Sequence, residues 1–180
     1  MAMSVTKSIP IVTCSAGKME AVRGVGVQHV IDRNANDGDW KEAVKLAANE
    51  ARSIRGFSKK NGVDLVLDPV GGSYWSRNAA VLAVDGRLVV YGLMGGAKVQ
   101  GIILGDILSK RLQVIGTTIR TRSVDYKSEV SKRFTEEVLP HLVSGSLNAP
   151  VSHVMPLTEA EEALNLMMTN STVGKIVLQP

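Results

Sequence analysis

Short apolar segments that suit β-strands alternate along this chain with segments of helical periodicity, and that alternation restricts the fold more than any other feature. Residues 9–13 form a short run with β-branched members, and 29–31 form another. Further strand candidates occupy 63–67, 87–91, 112–117, 153–157 and 175–178. Between the first two lies a helical stretch from Lys18 to Val25, closed by Gly24 and Gly26. After Asp39, a helix N-cap residue, Trp40, Val44, Ala47, Ala48 and Ala51 fall on one helical face. Residues 73–83 and 102–110 also fit helices, and Val130, Phe134, Val138, Leu139 and Leu142 predict one long amphipathic helix over 125–143. Thr158 and Glu161 predict a capping box ahead of Ala163, Leu164, Met167 and Met168. Strands separated by helices pair in parallel through right-handed crossovers, so the expected fold is a doubly wound α/β sheet.

Bulk properties exclude several functions. With 44% hydrophobic residues the chain can build a core, and with only 4% aromatics that core must rest on Val, Ile, Leu, Ala and Met. The net charge of +4 is spread out, without the like-charge blocks of a nucleic-acid-binding arm. The one basic cluster, Arg52, Arg55, Lys59 and Lys60, reads as a solvated helix end and loop. Cys14 is the only cysteine, which removes any internal disulfide and favours a reducing compartment. No stretch approaches the roughly 18 apolar residues that span a bilayer, and residues 1–8 lack a signal-peptide core. The expectation is a cytoplasmic protein with neither a membrane nor a nucleic acid as partner.

In an open α/β sheet, ligands bind beyond the carboxyl ends of the strands, and three such ends carry unusual residues. Thr13-Cys14-Ser15-Ala16-Gly17-Lys18 follows the first strand. An NAD site places a carboxylate near the end of the second strand of the fold to accept from the ribose hydroxyls, but no acid occurs here before Glu20. A hydroxyl and an ammonium three residues apart, Ser15 and Lys18, suit a 2′-phosphate instead, with Arg23 as an addition. A polar turn with a solvated lysine accounts for the same spacing, and spacing alone does not choose. Asp68-Pro69-Val70-Gly71-Gly72 and Tyr91-Gly92-Leu93-Met94-Gly95-Gly96 close two further strands. Their glycines let backbone approach a flat ligand, or simply make a sharp or mobile turn. Three such ends together point to a nucleotide crevice.

Three phrases are more specific. Gly71-Gly72-Ser73-Tyr74-Trp75, the stretch from Asp85-Gly86-Arg87 to Gly95-Gly96, and Gly174-Lys175-Ile176-Val177-Leu178 resemble the zinc-independent quinone oxidoreductases, the zeta-crystallin-like branch of the medium-chain dehydrogenase/reductase superfamily. Phe134-Thr135-Glu136-Glu137-Val138-Leu139-Pro140-His141 is similar too, and the resemblance runs over 9–178. It implies a Rossmann-like NADPH-binding domain over 1–150 and a segment, 151–180, that returns to a catalytic domain. It implies that Ser15 and Lys18 bind the 2′-phosphate, and that Val70, Gly71, Gly92, Leu93 and Met94 line the nicotinamide and its ribose. The implied reaction is hydride transfer from NADPH to a quinone or other small electrophilic acceptor, without a metal. Placement of the ring beside the acceptor then supplies most of the catalysis, so no catalytic side chain is assigned. An enoyl-thioester reductase of the same superfamily would use the same cofactor site, and a non-catalytic nucleotide-binding or dimerisation module is the alternative outside enzymes.

The chain departs from that family's pattern. No GroES-like catalytic domain and no G-x-G-x-x-G turn precede residue 9, so the first Rossmann strand is expected to be missing from the sheet, with 1–8 as a remnant of the following helix. Residues 50–58 read as an insertion. His29, His141 and His153 share no metal-ligand spacing, and Cys14 reads as a small buried thiol. Tyr126 and Lys127 are adjacent rather than four apart, which argues against a proton-transfer pair. Arg120 and Arg122 follow a strand end, facing either the crevice or solvent. The segment 112–119 reads as an edge strand, and the resemblance implies a homodimer through it.

Overall fold

The computed structural model describes residues 8–54, 61–101 and 103–180. Among them, strands and helices alternate: β1 (Ile11–Cys14), α1 (Met19–Gly24), β2 (His29–Asp32), α2 (Lys41–Ile54), β3 (Val63–Asp68), α3 (Trp75–Val81), β4 (Leu82–Val90) and α4 (Ile103–Lys110). Then follow β5 (Gln113–Gly116), α5 (Val124–Glu137), α6 (Leu139–Val143), β6 (Val151–Pro156), α7 (Ala160–Met168) and β7 (Lys175–Gln179). Every pairing is parallel, as the crossover pattern predicts. The strands form three groups: β1 with β2, β4 between β3 and β5, and β6 with β7. Among the described residues no ladder joins β1–β2 to β3–β4–β5. In a doubly wound sheet of order 3-2-1-4-5-6, these two groups flank the place of the first strand.

Helix α2 holds those two groups together. Asp39 Oδ1 accepts from the Lys41 backbone N–H at 3.3 Å, satisfying one donor at the helix start. The predicted face of Trp40, Val44, Ala47, Ala48 and Ala51 is buried. Trp40 and Val44 join Val81 in a cluster that packs on Ile11 and Ile31 from one strand group and on Val63 and Val66 from the other. A second cluster of Trp75, Ala79, Leu82, Leu88 and Leu112 lies around β4, where Leu82 and Leu88 are fully buried. Each of these leucines contributes about 1.5–3 kcal/mol through burial.

Four local features differ from the sequence pattern. The helix expected over 125–143 is broken at Val138 (φ −116°), because Pro140 has no N–H to donate and its ring crowds the preceding turn. The Thr158/Glu161 capping box does not form: a 3-10 turn, Leu157–Glu159, leads into α7, and its N-cap residue Glu159 makes no side-chain cap bond. β4 starts at Leu82 rather than at 87, kinking where Asp85 takes φ +64° and the β3 register shifts between Val63 and Leu65. Arg52 is not solvated; its guanidinium pairs with Asp64 and donates to the Gly62 carbonyl at 3.4 Å. Arg55, Lys59 and Lys60, most of the 50–58 insertion's second half, and the 1–8 remnant short of Ser8 lie outside the described residues. Among those described, no helix is long and apolar enough to cross a membrane.

Candidate functional site

Parallel pairing sends the carboxyl ends of β3, β4 and β5 to one side of their sheet, and those of β1 and β2 to one side of theirs. At the end of β1 the chain passes through Ser15 in extended conformation (φ −72°, ψ 152°) into a 3-10 turn, Ala16–Lys18. The Lys18 N–H donates to the Ser15 carbonyl at 2.9 Å, closing the turn between the two residues expected to hold an anion. The Ser15 hydroxyl makes no cap bond to that turn. Lys18 Nζ donates to Asn170 Oδ1 at 3.0 Å. Asn170 follows α7 in a left-handed conformation (φ +56°), and its 152-residue separation from Lys18 leaves no local signal from which to foresee the contact.

Cys14 reports the electrostatics of this turn. Burial, and then the Asp32 carboxylate, push its thiol up, while Arg33, Arg23 and Lys18 pull it down without cancelling the rise. Three cations and one acid therefore surround the end of β1. Asp32 is directly opposite Cys14 in the β1–β2 ladder, and its Oδ1 accepts from the Asn34 N–H at 3.0 Å. Both Asp32 and Arg33 escaped the sequence reading because they belong to the neighbouring strand end rather than to the Ser15–Lys18 turn itself.

The two glycine turns meet. Pro69 O accepts from Met94 N at 3.2 Å, Val70 O from Gly95 N at 2.7 Å, and Gly96 O from Gly72 N at 2.7 Å. The turn after β3 and the turn after β4 are thus laced into one backbone platform. Glycine is required for that approach: a Cβ on Gly92 would come within 2.6 Å of the Pro69 carbonyl, and one on Gly71 within 2.8 Å of Leu93 Cδ2. Gly71 also takes φ +82°, a conformation that side chains resist. Val70, Gly71, Gly92, Leu93 and Met94 are therefore brought together, with Leu93 and Met94 exposed as apolar side chains on the platform. Ser15 and Lys18 stand apart from them, on the β1–β2 group.

The remaining polar candidates are engaged elsewhere. Arg122 lies over the Tyr126 ring at 4.6 Å and Lys127 Nζ donates to the Arg120 carbonyl at 3.1 Å. His141 Nδ1 lies 3.0 Å from Ser146 Oγ, and His153 Nδ1 lies 2.9 Å from Ser152 Oγ. Among the described residues no three His, Cys, Asp or Glu side chains converge as the ligands of a zinc site would.

Comparisons with known proteins place the chain in a family. Residues 25–178 match the family profile described as zinc-binding dehydrogenase. The human synaptic vesicle membrane protein VAT-1 homolog is 27% identical over 181 aligned positions, covering 93% of this chain and 43% of that protein. Quinone oxidoreductase-like protein 2 of Bos taurus is 27% identical over 147 positions, 81% of this chain and 38% of that protein. A solved structure described as a putative alcohol dehydrogenase, from Sinorhizobium meliloti 1021, superposes with a TM-score of 0.71 at 27% identity, covering 96% of this chain and 41% of the other. The chain thus spans less than half the length of the relatives it matches.

Proposed function

The chain belongs to the zinc-binding dehydrogenase family, within the medium-chain dehydrogenase/reductase superfamily, and on that premise we propose that it binds NADPH across its strand ends and serves hydride transfer to a quinone or similar small electrophilic acceptor. The observation that carries the reading is the cationic turn after β1. Lys18 is held there by Asn170, with the Arg23 and Arg33 charges close enough to act on Cys14. A 2′-phosphate carries more negative charge than a ribose hydroxyl, and ammonium and guanidinium groups favour it accordingly. The Asp32 carboxylate, whose Oδ1 accepts from the Asn34 N–H, would favour NADH, but at this strand end it stands against the three cations Lys18, Arg23 and Arg33. The apolar Leu93 and Met94 side chains suit the flat nicotinamide, which when bound supplies the hydride. In this reading the chain's part is to bind and orient the reactants.

The test is titration calorimetry of the 180-residue chain with NADPH and NADH, before and after Lys18→Glu. NADPH affinity should fall at least tenfold, in line with the loss of a charged hydrogen bond worth about 1.5–3 kcal/mol, while NADH affinity changes little. Equal losses for both cofactors would remove the phosphate assignment. The acceptor class is tested on a protein that includes this chain and a catalytic domain: turnover of enoyl thioesters but not of quinones would exclude quinone reduction. The same reading includes a homodimer through β5, which pairs only with β4 among the described residues and exposes Val114 and Ile115.

A further inference from the structure

Asp68 ends β3 and is only 3% exposed, yet it forms no ion pair among the described residues. A buried carboxylate without a cation is costly unless donors surround it. Here the donors are backbone N–H groups two and three residues ahead. Oδ1 accepts from Val70 N at 2.7 Å and from Gly71 N at 3.1 Å, and Oδ2 accepts from Gly71 N at 3.2 Å. The side chain therefore holds the two residues that the family resemblance places beneath the nicotinamide.

The effect spreads to the second turn. With its N–H directed at Asp68, Val70 turns its carbonyl to Gly95 N, and Asp68's own carbonyl accepts from Tyr91 N at 3.0 Å. One residue thus contacts the β3 turn through its side chain and the β4 turn through its main chain. Resting on the cofactor reading above, we infer that Asp68 is a positioning residue that sets the Val70–Gly71 and Leu93–Met94 backbone against the nicotinamide end of the cofactor. It is only 3% exposed and both its side-chain oxygens accept from its own loop, so it is assigned to act through that backbone. Its influence should be confined to that end, since the Ser15–Lys18 turn belongs to the other strand group.

The experiment compares NADPH with adenosine 2′,5′-bisphosphate, which carries the adenine end alone, by calorimetry on the wild-type chain, Asp68→Ala and Asp68→Asn. Asp68→Ala should weaken NADPH at least tenfold and leave adenosine 2′,5′-bisphosphate within about twofold, a split that general loss of structure cannot produce. Asp68→Asn keeps one acceptor oxygen and should recover part of the NADPH affinity. Unchanged NADPH binding in Asp68→Ala, or an equal loss of both ligands in both variants, would overturn the positioning role while the cofactor site stands. If the wild-type chain binds neither ligand, the cofactor reading fails and this inference fails with it.

Discussion

At Cys14, burial and the Asp32 carboxylate both disfavour the thiolate, and together they outweigh the nearby cations. The thiolate is the reactive form, so a raised pKa means a smaller reactive fraction at any pH below it. Cys14 should be alkylated by iodoacetamide at about pH 8 more slowly than an exposed model thiol, with the difference shrinking as the pH rises; mass spectrometry of timed samples measures this. Faster alkylation than the model thiol would mean that Arg33, Arg23 and Lys18 dominate instead. The linked effect on stability has a definite sign. Above the ordinary thiol value of 9.0 the folded chain retains a proton that the unfolded chain has lost, so this group's contribution to stability falls as pH rises through that interval.

Between elements, the junction of α3 and β4 depends on a side chain from α4. Lys110 Nζ donates to the carbonyls of Ala79, Ala80 and Leu82 at 2.6, 3.1 and 2.9 Å, satisfying acceptors left open where α3 ends. Lys110→Met preserves most of the apolar stem but removes the donors, and should cost about 1.5–3 kcal/mol in urea unfolding; a loss under about 0.5 kcal/mol would mean that water replaces the ammonium. The elements themselves were largely legible. Trp40, Val44, Ala47, Ala48 and Ala51 bury the predicted face of α2 because helical periodicity and burial are the same geometric fact. The Pro140 break was also encoded, but the apolar spacing across Val138 concealed it. Lacing of the two glycine turns was not legible. Gly71 and Gly92 read alike as ligand-facing or as turn-making, and only the folded chain shows that Gly92 makes room for Pro69 and Gly71 for Leu93 and the Gly96 carbonyl.

On the scale of the molecule, β5 is one of the two edges of the three-stranded sheet among the described residues, and Val114 and Ile115 are 43% and 42% exposed. Such an edge invites pairing with another chain. Light scattering after size exclusion should give twice the chain mass for the wild type and one chain mass for Ile115→Lys; a monomeric wild type would end the dimer proposal. Parallel α/β class, strand order along the chain and the location of glycine turns at strand ends were all determined by the sequence by itself, because period, β-branching and turn chemistry act over a few neighbouring residues. Tertiary structure alone decided that Asn170 tethers Lys18, that the turns after β3 and β4 interlace, and that α2 spans two strand groups which no ladder joins among the described residues. Those facts join residues far apart in the chain or depend on which carbonyl a donor finds once the helices have packed. Such contacts form only after the core has fixed the positions of the segments that make them.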